Sequence, residues 1–337
     1  MSPSLPARKI GPLTVSAIGL GCMNLSHAYL PRPEPEKADR LLLHALDSGV
    51  TFFDTASLYG FGANEALLGR VLMHRRRDFI LASKCVLGMF DGKRGIDGSP
   101  AAIAQAVDES LQRLRTDHID LYYMHRLDSN VPVEESIGAL ARAVEVGKIG
   151  AIGLSEMSAN TIRAAHKVHP IAAVQTEYSL WTRNPEIAVL DACTELGIGF
   201  VAFSPLGRGL LAGGVGAEGV PPGDLRGGMP RFQQPHLERN LQLFGQLRDL
   251  SEEAGCTPAQ FCLAWLLSKG DNIVPIPGTT SIAHLDEDLA ALTLRLSPVH
   301  LTAADRLFKA GVASGARYDQ MAQAQVGTET WPQEELG

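Results

Sequence analysis

The chain has 337 residues, 45% of them hydrophobic and 20% charged, with a formal net charge of -7 at pH 7. That length buries a core in one large domain or two ordinary ones, and the composition is that of a globular protein. The acidic balance excludes nucleic acid as a main partner, because phosphate binding needs clustered Lys and Arg. No stretch approaches the about eighteen apolar residues of a membrane-spanning helix. Cysteines 22, 85, 193, 256 and 262 are odd in number and lack CxxC spacing. This suits a reducing compartment and offers no structural zinc site. The N-terminus has no signal-like apolar core, so a cytoplasmic location is expected.

In chain order, Lys9-Ile10 and Thr14-Val15 flank Gly11-Pro12 and predict a two-stranded hairpin. Eight short β-rich runs follow: Ile18–Gly21, Thr51–Asp54, Phe79–Ser83, Ile119–His125, Ile149–Ser155, Ala173–Glu177, Gly199–Ser204 and Ile273–Pro275. Between them, apolar residues at three- and four-residue spacing predict helices, as over Ala38–Leu46, Ile103–Leu114, Ile137–Val146, Ile162–Val168 and Ile187–Leu196. The basic cluster His74-Arg75-Arg76-Arg77 reads as a helix end favoured by the helix dipole.

Strands that alternate with helices are parallel, joined by crossovers. Several units share one grammar: a helix stops at Gly and a strand starts within a few residues, as in Asp47-Ser-Gly-Val-Thr-Phe-Phe-Asp54 and Leu196-Gly-Ile-Gly-Phe-Val-Ala-Phe203. Eight such units predict an α/β fold, a (β/α)8 TIM barrel with an N-terminal β-hairpin, forming a single catalytic domain over residues 1–312. A doubly wound open sheet would want GxGxxG after the first strand, and Ile18-Gly-Leu-Gly-Cys-Met lacks the third glycine. Leu206 to Asn240, past the seventh strand, is a long Gly- and Pro-rich loop of the kind that covers active sites. Residues 313–337 form a polar C-terminal tail, read either as frayed or as a flap over the barrel mouth.

Polar residues at the C-terminal ends of barrel strands face the active-site mouth. Those ends carry Asp54, Lys84, His125, Ser155 with Glu156, Gln175 with Glu177, and Ser204, while Tyr59 follows Asp54 on its loop. Singly, each has a structural explanation: a capping Asp, a snorkelling Lys, a buried imidazole. Four of them, Asp54, Tyr59, Lys84 and His125, at the mouths of consecutive strands form a set with a chemical purpose. A tyrosine hydroxyl titrates near 10; a nearby lysine is expected to lower that value, and an aspartate to hold the ammonium in place. With a histidine to orient a carbonyl, the set protonates an oxygen while hydride reaches the attached carbon. The hydride must come from a cofactor.

The chain resembles the aldo-keto reductases from the hairpin to about residue 312. The motifs are Phe53-Asp-Thr-Ala-x-x-Tyr-Gly60, Ala82-Ser-Lys84 and Tyr123-Met-His-Arg126 around the catalytic tetrad, with Ile152-Gly-Leu-Ser155, Gln175, Phe203-Ser-Pro-Leu-Gly-Arg-Gly209 and Ile276-Pro-Gly-Thr-Thr280 at the cofactor segments. Gly153-Leu-Ser-Glu156 and Gln175-Thr-Glu-Tyr-Ser-Leu180 resemble bacterial and plant branches. The resemblance implies a nicotinamide cofactor extended across the mouth. Ser155 and Gln175 would hold the carboxamide, with Glu156 as an acceptor where many members have Asn. Phe203 would stack on the nicotinamide. Ser204, Leu206 and Arg208 would line the pyrophosphate, Gly278 and Thr279 the adenosine phosphates, and Glu287 and Asp288 the adenine end. Members that prefer NADPH commonly carry Lys or Arg where this chain has Ser281 and His284 beside Thr280. A 2'-phosphate favours Arg or Lys, so NADPH is the family expectation, with NADH or dual use open.

The implied partner is a small-molecule carbonyl or alcohol substrate, with no nucleic acid, membrane or metal involved and a monomer or weak homo-oligomer as the assembly. Specificity would lie in the loop Cys85–Ser99, the 206–240 loop and the tail, with Met23, Met89, Phe90 and Trp181 as an apolar wall. Two other classes of function are open to the same residues. One is a non-catalytic redox-sensing subunit that binds NADP, which would want an interaction surface or a long N-terminal segment. The other is a metal-dependent barrel hydrolase using Asp54, His125 and Glu177, which would want an HxH pair on the first strand.

Overall fold

The computed structural model describes residues 5–90 and 93–334. An antiparallel hairpin, β1 (Ala7–Ile10) and β2 (Leu13–Ser16), opens the chain. The barrel strands are β3 (Leu20–Gly21), β4 (Phe52–Asp54), β5 (Ile80–Cys85), β8 (Ile119–Met124), β9 (Ile149–Ser155), β10 (Ile171–Glu177), β11 (Gly199–Phe203) and β12 (Ile273–Ile276). They pair in parallel in that order. The seam between the last and the first is joined by single bonds, Gly19 N–H to the Pro275 carbonyl and Gly21 N–H to the Pro277 carbonyl, each 3.0 Å. Glycine is needed there for close approach, since a Cβ on Gly21 would stand 2.8 Å from the Ile276 carbonyl oxygen.

Helices α1 (Pro35–Asp47), α2 (Ala63–Val71), α3 (Pro100–Leu114), α4 (Val133–Glu145), α5 (Ala159–Val168), α6 (Val189–Leu196), α7 (His236–Glu253), α8 (Pro258–Ser268), α9 (Ile282–Ala290) and α10 (Pro298–Leu307) cover the outside, and α11 (Gln320–Gln323) lies in the tail. Their starts follow local chemistry. Ser99 caps α3 by accepting from Ala102 N–H and Pro100 takes the first turn, and Thr257 and Gln260 form a capping box at α8.

The period-two alternation of strands divides the two faces. Outward residues such as Phe53, Leu81, Tyr122, Ile152 and Val174 pack under the helices in the main core. Inward residues Phe52, Ala82, Leu121, Ala151, Ala173, Val201 and Val274 meet Ile10 and Val15 of the hairpin, which plugs one end of the barrel. Two residues further along the same inward rows stand Asp54, Lys84, Tyr123, Gly153, Gln175 and Phe203. The Tyr123 ring lies so close to Gly153 that a Cβ there would meet it at 2.3 Å. One apolar layer thus closes the bottom, and the polar row begins directly above it.

Two expected loops differ in detail. The segment after Lys84 forms an antiparallel hairpin, β6 (Leu87–Phe90) and β7 (Lys93–Ile96). The long loop after β11 ends earlier than expected, because α7 starts at His236. It is pinned across the mouth by Leu225 N–H to the Ala28 carbonyl and by Leu30 N–H to the Asp224 carboxylate. Beyond α10, Gly327 N–H donates to the Glu156 carbonyl at 2.8 Å, and the Glu329 carboxylate accepts from Ala159 N–H at the start of α5, also at 2.8 Å.

Candidate active site

A cleft of about 390 Å³ opens at the C-terminal ends of the barrel strands. Asp54, Tyr59, His125, Ser155, Gln175, Phe203, Ser204, Leu206, Arg208, Gly278, Thr279, Thr280 and His284 all line it. Lys84 lies directly beneath, fully buried. Its ammonium donates to Asp54 Oδ1 at 2.5 Å, to the Thr55 carbonyl at 2.7 Å and to the Tyr59 hydroxyl at 3.4 Å. Asp54 is 2% exposed, and its second oxygen accepts from Gln175 Nε2 at 2.7 Å. Tyr59 stands edge-on to His125, with ring centroids 6.1 Å apart.

The electrostatics correct one expectation. The Tyr59 pKa is raised, not lowered: burial pushes it up and outweighs the pull of Lys84, and the Asp54 charge adds to the rise. Burial pushes the Lys84 pKa down, but Asp54 and then Tyr59 outweigh it and hold the ammonium above its ordinary value. His125 is pushed well below the usual imidazole range by burial and by Arg126, Lys84 and Arg94. It is therefore neutral at pH 7, with one N–H to give. Its Nδ1 is buried without a partner among the described residues, which favours the tautomer carrying the proton on Nε2.

Several sequence candidates fall elsewhere. Glu156 is fully buried and does not line the cleft; its carboxylate accepts from Glu177 N–H, from Arg317 at 2.5 Å and from the Thr328 hydroxyl at 2.7 Å. With its acceptor sites taken by the tail, it is not placed to meet a carboxamide. Asp288 faces inward near Cys262, only 3% exposed, and burial raises its carboxyl to about 8. Glu287 and Ser281 also stand outside the lining, and Ser281 caps α9 by accepting from His284 N–H. Of the apolar wall, Met23 lines the cleft, Met89 is 44% exposed, and Trp181 is buried beside Phe232. The Phe90 side chain lies outside the described residues.

Other cleft residues were given no role by the sequence. His27 and Tyr29 follow β3, Arg94 comes from the β6–β7 hairpin, and Arg126 follows His125. Tyr318 reaches the cleft from the tail, its hydroxyl accepting from Arg208 at 2.8 Å. Behind it a buried ionic cluster joins barrel and tail. Glu177 pairs with Arg208 at 2.9 Å and Arg317 at 3.3 Å, and these cations with Arg231 hold its carboxyl at about 2 against the opposing effect of burial. The donors a barrel hydrolase would use are thus committed, Asp54 to Lys84 and Glu177 to arginines. Among the described residues no group of three or more His, Cys, Asp or Glu is placed to hold a metal, and no described helix is long and apolar enough to cross a membrane.

A buried Lys–Asp pair thus lies under a tyrosine at the mouth of a parallel barrel. The model of the aldo/keto reductase family matches residues 17–308, and the chain belongs to that family. It is 43% identical over 337 residues to aldo-keto reductase yakc [NADP(+)] of Schizosaccharomyces pombe, covering 98% of this chain and 99% of the relative. It is also 43% identical over 308 residues to probable aldo-keto reductase 1 of Glycine max, covering 90% and 88%. Among solved structures, a glycerol dehydrogenase from Gluconobacter oxydans matches with a TM-score of 0.81 at 27% identity, covering 97% and 98% of the two chains. The holo form of an aldo-keto reductase from Bacillus halodurans matches with 0.76 at 29%, covering 94% and 99%. The protein is thus an NAD(P)H-dependent oxidoreductase of the aldo-keto reductase class.

Proposed function

We propose that the protein reduces a small-molecule aldehyde or ketone reversibly, with Tyr59 as proton donor, Lys84 and Asp54 as its supporting pair, and His125 orienting the carbonyl oxygen. The observation that carries this reading is the buried Asp54–Lys84–Tyr59 chain, whose phenol meets the cleft beside a neutral histidine. When bound, the reduced nicotinamide supplies a hydride to the carbonyl carbon. Tyr59 gives its proton to the carbonyl oxygen. The raised pKa keeps that proton in place at neutral pH, and Lys84 at 3.4 Å stabilises the phenolate left behind. Asp54 keeps Lys84 charged and aimed. His125, neutral, donates a hydrogen bond without competing as an acid.

The donor set fits the cofactor. Gln175 spends its Nε2 on Asp54, and its amide oxygen, without a partner among the described residues, can accept from a carboxamide NH2. The Ser155 hydroxyl oxygen accepts from Arg126 at 3.2 Å, so its own O–H is free to donate. Phe203 offers a ring face, with Ser204, Leu206 and Arg208 beside the pyrophosphate. Gly278, packed so closely that a Cβ there would stand 3.0 Å from the Gly21 carbonyl, and Thr279 beside it line the cleft where the adenosine phosphates would lie. Thr280 and His284, which line the cleft at the N-terminus of α9 that Ser281 caps, take the 2'-phosphate end. We assign NADPH as the cofactor with NADH also used, because this end carries a histidine and hydroxyls and neither Lys nor Arg lines it.

The test is cofactor oxidation with a panel of aldehydes, run with NADPH and NADH on the wild type and Tyr59→Phe. Loss of the phenol should reduce turnover by about 10²- to 10⁴-fold, the range for a positioned general acid, with cofactor affinity nearly intact. An equal fall in cofactor affinity would show that Tyr59 binds rather than protonates.

A further inference from the structure

The charge lining the cleft is unbalanced in a way the reductase chemistry does not require. Among the described residues, four arginines line it, at 94, 126, 208 and 226, against a single carboxylate, Asp54, which is committed to Lys84. Two of the four are neutralised where they stand. Arg208 pairs with Glu177 at 2.9 Å, and Arg226 pairs with Asp224 at 2.8 Å. Arg94 and Arg126 have no carboxylate within ion-pair distance among the described residues. Arg126 spends one nitrogen on the His125 carbonyl at 2.6 Å and on Ser155 Oγ at 3.2 Å. Arg94 reaches the cleft from the β6–β7 hairpin. In a chain of net charge -7, two uncompensated guanidinium groups beside one imidazole are a local inversion of sign.

Their position separates them from the cofactor's phosphates. Arg208, Gly209, Gly278 and Thr279 stand at the end formed by the loop after β11 and the turn after β12. Arg126 is bonded to the residue that orients the carbonyl, and Arg94 comes from the strand pair that follows Lys84. Burial and then the neighbouring Arg126 push down the pKa of Arg94, and both arginines push down that of His125. Tyr318 and Asp319 of the tail pull Arg94 the other way, but Asp319 forms no ion pair with it and accepts from Ala322 N–H as the cap of α11. A carboxylate or phosphate on the substrate would offset both charges and accept forked N–H donors, the geometry for which arginine is suited.

Building on the reductase reading, we infer that the substrate is an anionic carbonyl compound, whose carboxylate or phosphate ester is held between Arg94 and Arg126 while its carbonyl faces Tyr59 and His125. The shared requirement is an oxyanion a short distance from the aldehyde or ketone. The same groups raise the local concentration of anions in the cleft, an effect that salt weakens.

The experiment compares kcat/KM for 4-carboxybenzaldehyde, its neutral methyl ester methyl 4-formylbenzoate, and glyceraldehyde 3-phosphate with its neutral parent glyceraldehyde. It uses the wild type, Arg94→Gln and Arg126→Lys, with the NADPH dissociation constant measured by fluorescence for each. Within a pair, the wild type should favour the anion by about tenfold or more, the scale of one charge-assisted contact. Arg94→Gln, which severs no hydrogen bond seen in the structure, should remove most of that ratio through KM, and 0.5 M NaCl should narrow it as well. The pair with the larger ratio identifies carboxylate or phosphate as the natural group. Turnover of the neutral members with no anion preference overturns the inference and leaves the reductase reading standing. An anion preference that survives Arg94→Gln and Arg126→Lys, or that follows the NADPH dissociation constant, also overturns it. No turnover of any carbonyl with cofactor bound sinks the reductase reading and this inference with it.

Discussion

Replacing Arg317 by Met tests whether the tail is held by charge. Arg317 is 3% exposed, and its guanidinium lies 2.5 Å from Glu156 and 3.3 Å from Glu177, both buried carboxylates. Glu177 keeps Arg208 and the Thr182 hydroxyl in the variant, so most of the loss falls on Glu156. Glu156 retains the Thr328 hydroxyl and the Glu177 N–H but no paired cation. Removing one partner of a buried pair costs about 3–5 kcal/mol, and the two surviving hydrogen bonds put this case at about 3. With unfolding entropy of about 2.1 cal/mol/K per residue over 337 residues, that is a fall in Tm of about 4 °C at pH 7.5.

The pH dependence has a definite sign. In the wild type Glu156 and Glu177 both titrate below the ordinary carboxylate value, Glu177 at about 2. Their contribution is present above about 4.5 and is lost as pH falls toward 2. In the variant burial dominates Glu156 and raises its pKa, so protonation relieves the penalty. The gap between the proteins should shrink as pH is lowered from 7.5 to 5. Thermal melts followed by circular dichroism, with limited proteolysis of residues 313–334, read both effects. Adding Glu156→Gln to Arg317→Met should restore much of the loss, because the stranded charge is gone. An unchanged Tm together with a protease-resistant tail at pH 7.5 would refute the argument.

Burial and the charges of Arg126, Lys84 and Arg94 keep His125 neutral, so kcat/KM for reduction should show no acid limb near 6.5. A limb there, abolished by His125→Gln, would mean a charged imidazole is in use. Because its folded pKa is depressed, His125 also makes stability fall as pH drops below 6.5, visible as a lower Tm in the wild type than in His125→Gln at pH 5 relative to pH 7.5. Tyr59 holds its proton above its ordinary 10, so the alkaline fall in reductive turnover should lie beyond pH 10 in the free enzyme. His284→Arg should raise the NADPH-to-NADH ratio of kcat/KM about tenfold by adding a bidentate donor at the α9 N-terminus; an unchanged ratio would place the 2'-phosphate elsewhere.

By itself the sequence determined the repeating unit and the placement of the polar row. Helix stops at glycine, short β-rich runs and period-two alternation are local signals, so Asp54, Lys84, Ser155 and Gln175 could be assigned to strand ends. Tyr59 could be set near Asp54 because five residues span one turn. The sign of the Tyr59 shift was not local. It depends on how completely the barrel buries the phenol, and desolvation outweighs a lysine whose charge is shared with Asp54. The role of Glu156 was likewise decided by distance in the chain: its partners Arg317 and Thr328 are 161 and 172 residues away. Asp288, placed at the adenine end by resemblance, is turned inward by helical phase. Arg94 and Tyr318 come from a hairpin and a tail without apolar periodicity, and only the closed barrel brings them to one cleft. Backbone pattern is encoded over a few residues, whereas burial and charge pairing are sums over everything the fold brings near.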